Sequence, residues 1–245
     1  MILEVDCGNT RIKWRVLDRV RGFVADFGAT GDLDSFLAQV DAFPQGAVKL
    51  VRVVSVRGDV ETQALLEALK LKFLVDVRLA RSVAYLAGVT NGYKQPQSLG
   101  TDRWMAIVSA YRCAGGACLI LDVGTAVTSD FVSVDGLHLG GFICPGMRLM
   151  REQLCRQTRR INIQSGLGST YSSPGKTTTE AVEGGTQLML AGFVETQVRM
   201  ARELLGDSFV VVITGGDAST VAPWLPSAIV APDLVFEGLA LAIPD

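Results

Sequence analysis

The chain has 245 residues, 49% of them hydrophobic and 20% charged, with a formal net charge of −2. That length fits one large α/β domain or two small ones and supports a full apolar core, and the balance is that of a globular chain rather than a disordered or fibrous one. The near-neutral charge excludes a dedicated nucleic-acid binder, because a hold on the phosphate backbone needs a clustered cationic surplus.

The N-terminal residues carry Glu4 and no basic segment followed by a long apolar stretch, so no secretory signal is expected. Apolar runs such as 117–121 and 209–213 are strand-sized and far short of a bilayer span, so no membrane segment is expected and the location is read as cytoplasmic. Cys7, Cys113, Cys118, Cys144 and Cys155 are odd in number and form no C-x-x-C pair, which reads as reduced thiols serving as small buried side chains. His138 is the single histidine, so a site built of several histidines is excluded and this residue reads as structural.

In chain order, residues 1–17 read as a strand, a Gly-Asn turn and a second strand, with Asp6 at the turn. Apolar residues recur at helical spacing over 33–40 and 60–70, whereas 48–56 and 73–77 read as short strands. A cluster of Gly, Pro, Gln and Ser over 91–100 predicts a loop. Asp102 is then a candidate N-cap for a helix over 103–113, whose Trp104, Ile107, Val108 and Tyr111 share a face. The expected division is two lobes, 1–115 and 116–245.

The second lobe is expected to open with a strand over 117–122, a turn at 123–126, and strands over 127–134 and 137–143 stopped by Pro145-Gly146. Residues 147–160 predict a helix whose Arg148, Arg151, Arg156, Arg159 and Arg160 form a solvated basic face. A Gly- and Ser-rich loop over 164–179 leads to a long amphipathic helix over 180–205. A strand over 209–213 then ends in Thr214-Gly215-Gly216-Asp217, and 233–242 reads as a closing helix.

At one constant offset Asp6 meets Asp122, Gly8 meets Gly124 and Asn9 meets Thr125, the mark of a single internal duplication. Each copy is an apolar strand that stops at a carboxylate and turns on a glycine. Phosphoryl transfer needs a polyanion held still, a divalent cation across its oxygens and a group to receive the acceptor proton. In the first copy, backbone amides near Gly8, Asn9 and Thr10 can approach phosphate oxygens, Lys13 adds a compact positive charge, and Asp6 can hold hydrated Mg2+. The second copy offers the Thr125 and Thr128 hydroxyls with Asp122 and Asp130, and Gly215-Gly216 permits a third close nucleotide contact.

These motifs together resemble the type III pantothenate kinases, small members of the sugar kinase and actin superfamily. The resemblance rests on DCGNTRIK at 6–13, NGY at 91–93, GTDRW at 100–104, DVGTAVTSD at 122–130, GGFICPG at 140–146 and TGGD at 214–217, in family order over nearly the whole chain. It implies an α/β architecture, a duplicated actin-like ATPase (ribonuclease H-like) fold of two similar lobes with a nucleotide cleft between them. The implied reaction is ATP-dependent phosphorylation of pantothenate to 4'-phosphopantothenate, the first step towards coenzyme A.

The same resemblance assigns Asp6, Cys7, Gly8, Asn9, Thr10, Arg11, Ile12 and Lys13 to the ATP phosphates, with Mg2+ held at Asp6 through water, and Thr125 to a further ATP contact. It implies a monovalent cation, K+ or NH4+, at Asp122. Tyr93, Gly100, Thr101, Asp102, Arg103 and Thr178 would bind pantothenate, with Asp102 as catalytic base. Thr178 is placed by counting back from Gly185, with Thr177 and Thr179 as neighbours that can take the role if the register slips. A homodimer is implied, with the substrate site near the subunit interface. The competing expectation is a catalytically silent accessory or regulatory protein of the same family; a binding-only descendant would have no need of Asp102.

Overall fold

The structure is a computed structural model that describes residues 1–19, 22–44, 46–158 and 173–245. Its first strand, β1 (Ile2–Cys7), is buried along its whole length. β2 (Ile12–Asp18) runs antiparallel beside it and β3 (Phe23–Thr30) antiparallel to β2, while β4 (Leu50–Ser55) and β5 (Val77–Leu79) extend the sheet in parallel on the other side. The strand order is β3-β2-β1-β4-β5. The parallel steps are bridged by α1 (Leu33–Val40) and α2 (Asp59–Phe73), the crossover that parallel neighbours require.

One local reading changes here. Phe73, expected to open a strand, is the last residue of α2, and the strand begins at Val77. Leu65, Leu69 and Phe73 are spaced by four and form one buried helical face, so the helical period runs further than the apolar cluster at 73–77 suggests. β3 carries no legible alternation because it is an edge strand with Phe23, Val24 and Phe27 exposed.

A small ribbon of β6 (Tyr85–Leu86) and β7 (Val89–Thr90) then leads into α3 (Thr101–Ala114). The second sheet is built from β8 (Cys118–Val123), β9 (Ala126–Val132) and β10 (His138–Pro145), antiparallel, with β11 (Val210–Thr214) and β12 (Ile229–Val230) in parallel. Its order, β10-β9-β8-β11-β12, repeats the first sheet element for element. Between β10 and β11 stand α4 (Met147–Gln157) and α5 (Thr178–Leu205), and after β11 comes the short α6 (Ala218–Val221). The expected basic helix thus ends at Gln157; Arg159, Arg160 and most of the expected 164–179 loop lie outside the described residues. Its Arg148 pairs with Glu152 at 3.7 Å, and Arg151 pairs with the buried Glu183 of α5, so part of the basic face packs inside its own unit.

The chain divides into two compact units, Met1–Cys113 with Asp233–Asp245, and Ala114–Pro232. The C-terminal segment therefore belongs with the first sheet rather than with the second half in which the sequence reading put it. Its helix α7 (Leu234–Ala242) packs on β1 and β4. Gly238 is pressed so closely on the Met105 backbone of α3 that a Cβ there would collide with it. Charge fastens the same segment. Glu4, 0% exposed, accepts from Arg15 Nε at 2.6 Å and Arg52 Nη1 at 2.8 Å, and those arginines also pair with Asp233 and Asp245. Each unit has its own apolar core, one around Leu3, Val5, Trp14, Phe36 and Val53, the other around Leu119, Leu121, Phe131, Leu190 and Ile213.

Candidate active site

In the first unit the parallel strands β1, β4 and β5 end at the same edge, where ligands of open α/β sheets bind. β1 ends in Asp6 and Cys7, and the chain turns over Gly8–Arg11 before β2. The Gly8 amide donates to the Arg11 carbonyl at 3.0 Å, and a Cβ on Gly8 would approach that carbonyl to 3.3 Å. Asn9, Thr10 and Arg11 are exposed. Asp6, 8% exposed, is the direct cross-strand partner of Lys13, which puts the carboxylate and the ammonium stem on one face of the hairpin. One carboxylate beside an exposed glycine turn has the chemistry that Mg2+ takes, since that ion keeps several waters and needs few protein oxygens.

Cys7 and Ile12 pair across the same ladder with their side chains in the core, so of these two only the main chain can reach a ligand. Burial pushes the Cys7 thiol above its ordinary pKa, opposed by the nearby Arg57 charge and a hydrogen bond with Ser55. Arg57 has no place among the residues expected from the sequence. It follows β4, and its Nε donates to the Gly8 carbonyl at 3.0 Å.

Tyr93, Gly100, Thr101, Asp102 and Arg103 also lie in the first unit. Asn91 is buried, donates to the carbonyls of Val83 at 3.2 Å and Pro96 at 3.3 Å, and accepts from the Tyr93 amide at 3.0 Å. Ser82 Oγ donates to the Leu99 carbonyl at 2.8 Å, tying the end of the β5 edge to the start of GTDRW. Arg103, 7% exposed, donates to Tyr93 Oη at 2.9 Å and lies over the tyrosine ring at 5.8 Å. Asp102 is half-buried. It is not an N-cap: α3 begins at Thr101, so Asp102 lies within the first turn, where its carboxylate accepts from the Arg103 amide at 2.7 Å and suits the positive helix end. Gly100 makes room for it, since a Cβ there would stand 2.9 Å from Asp102 Oδ1.

In the second unit Asp122 pairs with Thr128 on one side and Thr214 on the other, as Asp6 pairs with Lys13 and Val54 in the first. The turns differ. Gly8–Arg11 is a four-residue loop, whereas Gly124 and Thr125 alone separate β8 from β9, with the Gly124 amide donating to the Ala126 carbonyl at 3.1 Å. Two glycine motifs close on this tight turn. The Gly146 amide donates to the Thr125 carbonyl at 2.9 Å, and a Cβ on Gly146 would strike the Gly124 carbonyl. Gly215, at φ +96°, lies against the Val123 carbonyl and the Asp122 carboxylate, and the Asp217 amide donates to the Val123 carbonyl at 2.9 Å.

Asp130 does not belong to this turn. Its carboxylate is 2.9 Å from Nε2 of His138 and both side chains are buried within the β9–β10 pair, so the second cradle keeps Asp122, Thr125 and Thr128 without it. Thr178 is the exposed first residue of α5. The neighbouring Thr177 is the N-cap, its hydroxyl accepting from the Glu180 amide at 3.2 Å in a capping box, which commits that oxygen to the helix.

A family model described as type III pantothenate kinase matches residues 2–200. The chain belongs to the type III pantothenate kinase family. A type III pantothenate kinase of Pseudomonas putida is 49% identical over 247 residues, covering 100% of this chain and 99% of its own. Among solved structures, a Baf family protein of Campylobacter jejuni superposes with a TM-score of 0.64 at 22% identity, covering 97% of this chain and 94% of its own. The activator of the 2-hydroxyisocaproyl-CoA dehydratase of Clostridium difficile, with bound ADPNP, superposes at 0.50 and 12% identity, covering 98% and 92%. These likenesses show the fold, and this family member has the duplicated actin-like ATPase fold. Among its described residues no helix is long and apolar enough to cross a membrane.

Proposed function

We infer that this kinase family member transfers the γ-phosphoryl group of ATP to the primary hydroxyl of pantothenate, giving 4'-phosphopantothenate for coenzyme A synthesis. Full-length identity of 49% to a type III pantothenate kinase supports the reaction, and the half-buried Asp102 beside the buried Arg103 at the start of α3 is the observation that carries the mechanism. Successive helical residues point about 100° apart, so the two side chains diverge and are assigned to different groups of one small molecule. Arg103, braced by Tyr93, grips the pantothenate carboxylate with its guanidinium. Asp102 orients the acceptor hydroxyl and takes its proton late in a loose transition state, in which positioning outweighs base strength. Gly100 and Thr101 complete the proposed substrate-binding set beside Asp102, and Thr178 is proposed to contribute a hydroxyl to pantothenate.

The phosphates lie against the 6–13 hairpin, where the amides of Gly8, Asn9 and Thr10 donate to their oxygens and Lys13 adds a point charge. Asp6 holds Mg2+ through water. Bound there, the ion would supply charge neutralisation to the transferring phosphoryl group, with Asp6 as the residue that would hold it. Thr125 makes a further ATP contact and Asp122 holds K+ or NH4+. The ADPNP bound by the fold relative from Clostridium difficile supports the nucleotide reading. The working state we propose is a cytoplasmic homodimer.

ADP release measured with ATP, Mg2+, K+ and pantothenate tests the reading. Turnover requires pantothenate, and Asp102→Asn keeps the fold while lowering kcat about a hundredfold or more. Near wild-type turnover in that variant would remove Asp102 from the base role. Exchange of K+ for Na+ lowers the rate, and an unchanged rate would count against the cation site.

A further inference from the structure

Arg57 lies two residues beyond the end of β4, at the sheet edge that carries the phosphate loop. The backbone holds it there: the Val56 amide donates to the Cys7 carbonyl at 3.1 Å, and the Arg57 amide donates to Ser55 Oγ at 3.3 Å. Thr62 Oγ1 donates to the Arg57 carbonyl at 3.3 Å and is 2.7 Å from Ser55 Oγ. From this brace Arg57 Nε donates to the Gly8 carbonyl at 3.0 Å. It also pairs with Glu61 at 3.8 Å, a carboxylate whose side chain is 64% exposed, so that pair holds it only weakly beside the Gly8 bond.

In a trans peptide the C=O and the following N–H point in opposite directions. Fixing the Gly8 carbonyl on Arg57 therefore turns the Asn9 amide the other way, while the Gly8 amide is occupied by Arg11. We propose that Arg57 is a positioning residue for ATP: it locks the Gly8–Asn9 peptide plane so that the Asn9 amide is presented to a phosphate oxygen. The proposal rests on the ATP-phosphate reading of the loop, and it explains why a long cationic side chain is anchored on a glycine carbonyl.

Arg57→Gln, Arg57→Lys and Glu61→Gln in the full chain test it, read by titration calorimetry with Mg·ATP alone and by steady-state kinetics with both substrates. Arg57→Gln raises the ATP Kd and KM about tenfold and leaves the pantothenate KM within about twofold, while Arg57→Lys recovers part of the loss and Glu61→Gln stays near wild type. Unchanged ATP affinity in a folded Arg57→Gln or Arg57→Lys variant would overturn the proposal, as would an equal loss for both substrates. If the unaltered chain binds Mg·ATP without turning over pantothenate, the reaction assignment fails while the binding arm still decides the role of Arg57.

Discussion

Gly215 has almost no freedom to become anything else. Its φ of +96° is one that side chains with a Cβ rarely adopt, and a methyl group would collide with the Val123 carbonyl and the Asp122 carboxylate. Gly215→Ala is expected to cost about 1–3 kcal/mol in thermal unfolding and, under the proposal that Asp122 holds a monovalent cation, to weaken the response to K+, because Asp122 is one of the groups displaced; an unchanged melting temperature would mean that the turn opens without strain. The cysteines separate by burial. Cys113 is exposed, whereas Cys7 and Cys118 are buried and burial raises the Cys7 pKa. The fold thus favours the neutral Cys7 thiol, a contribution complete at neutral pH and lost only as alkaline pH passes the raised value. A thiol reagent near pH 7.5 should modify Cys113 first and Cys7 only on unfolding, as peptide mapping by mass spectrometry would record. Rapid modification of Cys7 in the folded chain would contradict this.

Among the elements, what was legible in sequence followed how local the signal is. The β1–β2 hairpin, α1 and the β8–β9 turn were readable because a strand stopping at Asp and Gly, or a helical apolar period, is written in adjacent residues. The end of α2 is not legible because Leu71 and Leu74, both exposed, and the buried Phe73 make one apolar cluster that fits either period. The membership of α7 was not readable at all, since it is decided by contacts as distant as Arg52 to Asp245 and Arg15 to Asp233. That charged cluster predicts its own sensitivity. Glu4→Gln leaves Arg15 and Arg52 buried without their shared carboxylate and should destabilise the chain by about 3–5 kcal/mol in denaturant unfolding. A midpoint equal to that of the unaltered chain would show that water or rearranged partners replace Glu4.

At the scale of the molecule, duplication of one five-strand sheet explains both the repeated D-x-G turn and its divergence. The strand orders match, yet the first turn is a four-residue open loop and the second a two-residue turn packed under Gly146 and Gly215. The candidate site was legible where it coincides with motif residues. Arg57 was not, because its bond to Gly8 joins positions 49 apart and nothing local marks it. Phosphorus NMR of the full chain with ATP, Mg2+, K+ and pantothenate reads the reaction at the bond it forms. The expected spectrum shows a new phosphate monoester on the pantothenate primary hydroxyl, growing in step with ADP and nearly absent with Asp102→Asn. Inorganic phosphate as the sole product, or no loss of ATP, would contradict the assignment of this chain as a pantothenate kinase.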